Sequence, residues 1–161
     1  MKVTEEIAKH LREVYNGNNW TDVSMRDALK GISWEQATRK VDSLNTIAML
    51  VFHMNYYVRV AIKVLEGTMP DAHDKNSFDL SPIQNETDWK QLVDTAYADA
   101  ERLASLIEQL DDIILFETFW KEKYGNYYRN LTGVIEHCYY HMGQVVVLGK
   151  FLSLTAKTEG R

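Results

Sequence analysis

Apolar residues recur every three or four positions along four stretches of the chain. That is the period of a helix with one buried face. The first stretch runs from about Thr4 to Tyr15, with Ile7, Leu11, Val14 and Tyr15 on its stripe. Thr4 is the expected N-cap, Glu5 and Glu6 suit the positive end of the helix dipole, and Asn16-Gly17-Asn18-Asn19 ends the helix. The second stretch runs from Asp42 or Ser43 to Glu66 and stops at Gly67. Leu44, Ile47, Ala48, Val51, Phe52, Val58, Ile62 and Leu65 form its stripe, and His53 lies within it. The third runs from Thr87, as N-cap, to Leu110, and the fourth from about Asn130 to Leu154.

The connections are long. Residues Trp20 to Lys40 contain a short helix opened by Ser33, with Gln36 three residues on as in a capping box. Residues 67–86 are polar and hold both prolines, Pro70 and Pro82. Residues 111–129 include Ile113 to Trp120, rich in strand-favouring types, but a lone short strand has no partner, so this reads as an aromatic loop. The pattern predicts an all-α protein, a four-helix bundle formed by a single domain over residues 1–161. Twenty extended residues span roughly 60 Å and a helix of about 24 residues only about 36 Å. Each connection can therefore cross the bundle, and the pattern alone leaves the helix directions open.

Composition narrows the partners. The chain has 161 residues, 45% hydrophobic and 25% charged, which suits a folded domain with a real core. A net charge of −5 and no convincing basic stripe argue against a nucleic-acid partner. Cys138 is the lone cysteine, which excludes an internal disulfide and a cysteine-based zinc finger. The N-terminus lacks a signal-type apolar stretch, and the longest apolar run, Val145 to Gly149, is too short to span a bilayer. The expectation is a cytoplasmic protein acting on a small molecule, without a membrane partner.

The chemistry concentrates in EHCYYHMGQVVVL, residues 136–148. His137 and His141 stand four apart, so their side chains stack on one helical face and suit two imidazoles converging on one metal. Two ligands do not make a site. His53, mid-helix on another core stripe, is the candidate third. Three neutral histidines leave coordination positions open, as catalytic rather than structural sites do. Burying three imidazoles without compensation is costly, which weighs against a purely packing role.

Familiar alternatives fall away. A zincin needs Glu directly after the first histidine, and Cys138 stands there. Di-iron bundles need Glu-x-x-His pairs, and Glu136 directly precedes His137. Histidine-only coordination favours zinc, nickel or iron over magnesium or calcium. His10 falls at a helix edge and His73 in the solvated loop Asp71-Ala72-His73-Asp74. Cys138 points away from the ligands as a buried, inert thiol. Gln144 shares the face of His141 and is placed to hydrogen-bond a ligand ring or a substrate. Tyr56 is a further supporting candidate beside the site. Trp20 and Trp34, in the first connector, are candidates to cap a pocket or simply to anchor the connector.

LVFHMNYY in the second helix followed by HCYYHMGQ in the last, with the connector ALKGISWEQATRKVDSLNTIAMLVFH between the first two helices, resembles the DinB-like superfamily over essentially the whole chain. That resemblance implies an up-down-down-up four-helix bundle, often a homodimer, with His53, His137 and His141 binding zinc or nickel and water completing the shell. It also implies a thiol-dependent transferase or isomerase using a low-molecular-weight thiol of the bacillithiol, mycothiol or glutathione kind. Met142 stands where relatives often carry arginine, which counts against an anion-binding role there. Two rivals share the three ligands: a metal-dependent hydrolase, and a non-enzymatic metal-binding or dimerisation protein.

Overall fold

The computed structural model describes residues 2–70 and 72–159, with the side chains of the last helix described as far as Thr155. Asp71, read above as part of a solvated loop, lies outside the described residues. The described residues are helical, with no strand among them beyond an isolated bridge between Thr118 and Asn126. Six α-helices follow in order: α1 (Val3–Asn16), α2 (Met25–Leu29), α3 (Trp34–Thr38), α4 (Ile47–Leu65), α5 (Glu86–Glu108) and α6 (Tyr127–Glu159). Four of them are long, and they pack as α1 on α5, α5 on α4, α4 on α6 and α6 on α1.

α1 buries the whole stripe its periodicity marked, and α4 buries most of its own, with Phe52 and Leu65 only half-buried. Ile7, Leu11, Val14 and Tyr15 of α1 meet Ala96, Ala100, Leu103 and Ile107 of α5 in one apolar core, which Val51, Val58, Leu131 and Val145 continue on the other helices. α4 is apolar enough, by length and composition, to pass for a membrane span. Here it is the central helix, packed against α3, α5 and α6.

The helix ends are where local reading and structure part. Thr4 is not the N-cap of α1; it sits inside the first turn, fully buried. The backbone N–H groups of Val3 and Thr4 instead donate to the carboxylate of Asp112, 3.0 Å each, in a segment more than a hundred residues away. α4 starts at Ile47 because Thr46 caps it, its hydroxyl accepting from the Met49 N–H at 3.2 Å. Leu44 therefore falls before the helix and is exposed rather than on the core stripe. Asn85 rather than Thr87 caps α5.

The connectors carry more structure than their composition suggests. α3 opens at Ser33 with the expected capping box. α2, capped by Ser24 and Asp27, escapes a periodicity search because five residues show too little of the period. The polar link holds a 3-10 turn, Asp74–Phe78, which packs on α4. The aromatic loop holds two more turns, Asp112–Phe116 and Glu122–Tyr124.

Candidate metal centre

α4 and α6 place three imidazoles together. His53 comes from the middle of α4; His137 and His141 lie one turn apart on α6. One nitrogen from each lies within 4.8 Å of the others. His53 and His141 are buried and His137 is partly so. Nε2 of His53 and Nε2 of His137 are 3.0 Å apart. Two nitrogens bound to one zinc at 2.0–2.1 Å lie about 2.9–3.4 Å apart for angles between a right angle and the tetrahedral value.

Hydrogen bonds on the far side of two rings set which nitrogen carries the proton. The Ser77 hydroxyl donates to the Asp74 carbonyl at 2.6 Å, so its oxygen accepts from His53 Nδ1–H at 2.8 Å. On α6 the Gln144 carbonyl oxygen accepts from His141 Nδ1–H at 2.9 Å. Both rings thus keep Nε2 unprotonated, the lone-pair face a metal ligand presents. Phe78 stacks on His53, centroids 4.0 Å apart, and Tyr57 meets His53 and His137 edge-on.

His137 has no such support. Its Nδ1 is buried without a hydrogen-bond partner. If its proton sits on Nδ1, two bare Nε2 lone pairs face each other at 3.0 Å; if it sits on Nε2, Nδ1 is a buried acceptor with nothing to accept from. A cation among the three rings removes the conflict on the Nε2 side. Burial and the neighbouring imidazoles push the His137 pKa down to about 4, and burial, then His141, lowers that of His53. Both rings are therefore neutral near pH 7, as ligands must be. All donors are imidazole nitrogen, a set suited to zinc, nickel or iron. The cluster is compatible with a bound metal ion.

A profile of the DinB family matches residues 1–152, a span that includes all three histidines. The chain belongs to the DinB family. No curated protein and no solved structure matches it.

The other residues singled out from the sequence fall as follows. Gln144 bonds the His141 ring. The Tyr56 hydroxyl accepts from the His73 backbone N–H at 3.0 Å and donates to the His73 carbonyl at 3.1 Å, which straps the link segment to α4 away from the three-histidine cluster. Trp20 is 98% exposed, so its indole turns to solvent. Trp34 packs on the core, and its backbone N–H donates to the Glu86 carboxylate. The rings against the three histidines are instead Phe78, Tyr57 and Tyr140, the last 4.8 Å from His141. His10 and His73 stay outside the cluster. The Cys138 sulfur is buried, 3.8 Å from the Tyr15 hydroxyl, and burial pushes its pKa up to about 12. Ser77 and Phe78 gave no signal in the sequence, because a short turn in a polar link has no period to betray it.

Proposed function

We propose that this DinB-family protein is a divalent-metal-dependent enzyme, a thiol-dependent transferase acting on small electrophiles. The observation that carries the reading is the trio of imidazoles, two of them held by Ser77 and Gln144 with Nε2 free. His53, His137 and His141 would hold the ion, zinc or nickel, and three ligands leave positions open for exchangeable groups. A metal there supplies a lowered pKa to a coordinated water or thiol.

The chain's own groups do the rest. Phe78 covers the His53 ring and excludes water from it. The Tyr57 hydroxyl donates to Asp74 at 2.5 Å, and burial, helped by that carboxylate, pushes its pKa up to about 12. Tyr57 therefore stays protonated and orients Asp74 at the edge of the site. The ring of packed pairs among α1, α5, α4 and α6 supports a four-helix bundle, and the up-down-down-up order is part of the proposal. Tyr140, Val147, Phe151 and Leu154 leave an exposed apolar stripe on α6, which supports a homodimer. The net charge of −5 supports a small-molecule enzyme over a nucleic-acid binder.

The test uses untagged protein. Metal content is measured alongside consumption of a small electrophile, with and without a low-molecular-weight thiol. The expected result is near-stoichiometric metal and turnover only with thiol, lost on chelation. Turnover without thiol moves the assignment to the hydrolase. Substoichiometric metal with chelator-independent stability moves it to a non-enzymatic protein.

A further inference from the structure

One turn along α4 from His53, a chamber of about 280 Å³ opens beside the histidines. Five aromatic side chains wall it: Tyr56 and Tyr57 from α4, and Phe119, Trp120 and Tyr124 from the segment before α6. Tyr57 is a shared wall, since its ring also meets His53 and His137 at centroid distances of 5.3 and 4.8 Å. The chamber therefore lies against the imidazole cluster, with one ring between them.

The walls are held by contacts with one another and with their neighbours. Trp120 and Tyr124 lie parallel within 4°, and the Trp120 N–H donates to the Met69 sulfur at 3.0 Å. The Tyr56 and Tyr57 hydroxyls are engaged with the His73 backbone and the Asp74 carboxylate. The flat faces enclose the chamber without needing to rearrange.

Size and charge define what fits. An apolar cavity of ~150 Å³ is enough for benzene, whereas drug-sized ligands occupy pockets of ~300–1,000 Å³. A chamber of about 280 Å³ suits one substituted ring. Its polar lining residues are His73, Asp74 and Asn130, and no lysine or arginine is among them. Lys121 and Lys123 sit over the Trp120 and Tyr124 rings, engaging their faces from solvent-exposed positions. An anion would be desolvated against Asp74; a neutral ring bearing an N–H or O–H finds acceptors there.

We propose that this aromatic chamber binds the flat part of the organic substrate: a single aryl or conjugated ring carrying a hydrogen-bond donor and no negative charge. That the occupant is the electrophile rests on the transferase reading above. That the chamber binds such a ring does not.

The probes are aniline, phenol and benzoate, titrated into the untagged full chain by calorimetry and ligand-observed NMR. Aniline and phenol bind, and benzoate binds at least ~10-fold more weakly, as one unfavourable charge contact of about 1.4 kcal/mol dictates. Trp120→Ala weakens aniline about tenfold, the scale of a lost aromatic contact. Tyr124→Ala, at a more exposed position, shifts it in the same direction and guards against a folding defect at Trp120. Benzoate binding as tightly as aniline overturns the charge assignment. No aniline binding, or unchanged affinity in both variants, overturns the chamber as a site. Metal content is read in the same samples: loss of metal with aniline still bound removes the metal reading and leaves the chamber standing.

Discussion

Two polar clusters sit at two helix interfaces of this protein, and they are built on opposite principles. At the α1–α5 interface Arg12 reaches across to both Glu101 and Glu108, partly exposed at the rim of an apolar seam. The positive and negative groups satisfy one another: hydrogen bonds from the guanidinium hold both carboxylates below their usual range. At the α4–α6 interface three like groups meet, and no placement of the His137 proton satisfies both of its nitrogens. A self-compensated cluster stabilises a packing contact. An uncompensated one, with two of its rings held by Ser77 and Gln144, is compatible with a bound metal ion.

The largest expected effect breaks the comparison at its centre. His53→Ala or His137→Ala is expected to weaken zinc or nickel binding by more than the ~10–100-fold typical of a lost outer-shell partner. Chelator competition checks it. His10→Ala and His73→Ala, outside the cluster, serve as controls, and wild-type affinity in His53→Ala would sink the site assignment. A middle-sized effect tests the supporting shell. Ser77→Ala and Gln144→Ala free the His53 and His141 rings to rotate or change tautomer, and each is expected to lower metal affinity ~10–100-fold while the fold persists.

The smallest effects separate the clusters by pH. His137 titrates at about 4 in the fold and at ~6.5 in an unfolded chain. The unfolded chain takes up the proton first, so the metal-free protein loses stability as pH falls from about 6.5 toward about 4. Glu101 and Glu108 start from 4.5 and are lowered in the fold. Their contribution is present above that value and is lost only as pH falls below it. Urea midpoints near pH 7, 5 and 3.5 resolve the two windows, and His137→Phe should shrink the upper one, to which His53 also contributes, while leaving the lower one unchanged. Arg12→Ala is expected to cost at most ~1 kcal/mol, less at high salt, with metal affinity unchanged.

Much of the site could be read before any coordinates, and the unread part has a common cause. His137 and His141 share a face because four residues make little more than one turn, a covalent certainty once α6 forms. His53 could be nominated from its place in the α4 stripe, but only the packing of α4 on α6 brings its Nε2 to 3.0 Å from His137. Phe78 and Ser77 were invisible because they lie in a turn with no periodicity, and Trp20 drew attention by its type although its environment is solvent. Thr4 shows the same limit at a helix end. It has the chemistry of a cap, yet Asp112 does the capping from across the fold.

The sequence by itself determined the helical periods, the buried stripes, the i,i+4 histidine pair and the family. Each depends on neighbours within a few residues or on pattern along the chain. Tertiary structure alone decided the meeting of His53 with that pair, the tautomers set by Ser77 and Gln144, and the aromatic chamber beyond Tyr57. Those depend on how helices rotate and slide against one another, and packing of side chains far apart in the chain settles that register, which no local period encodes.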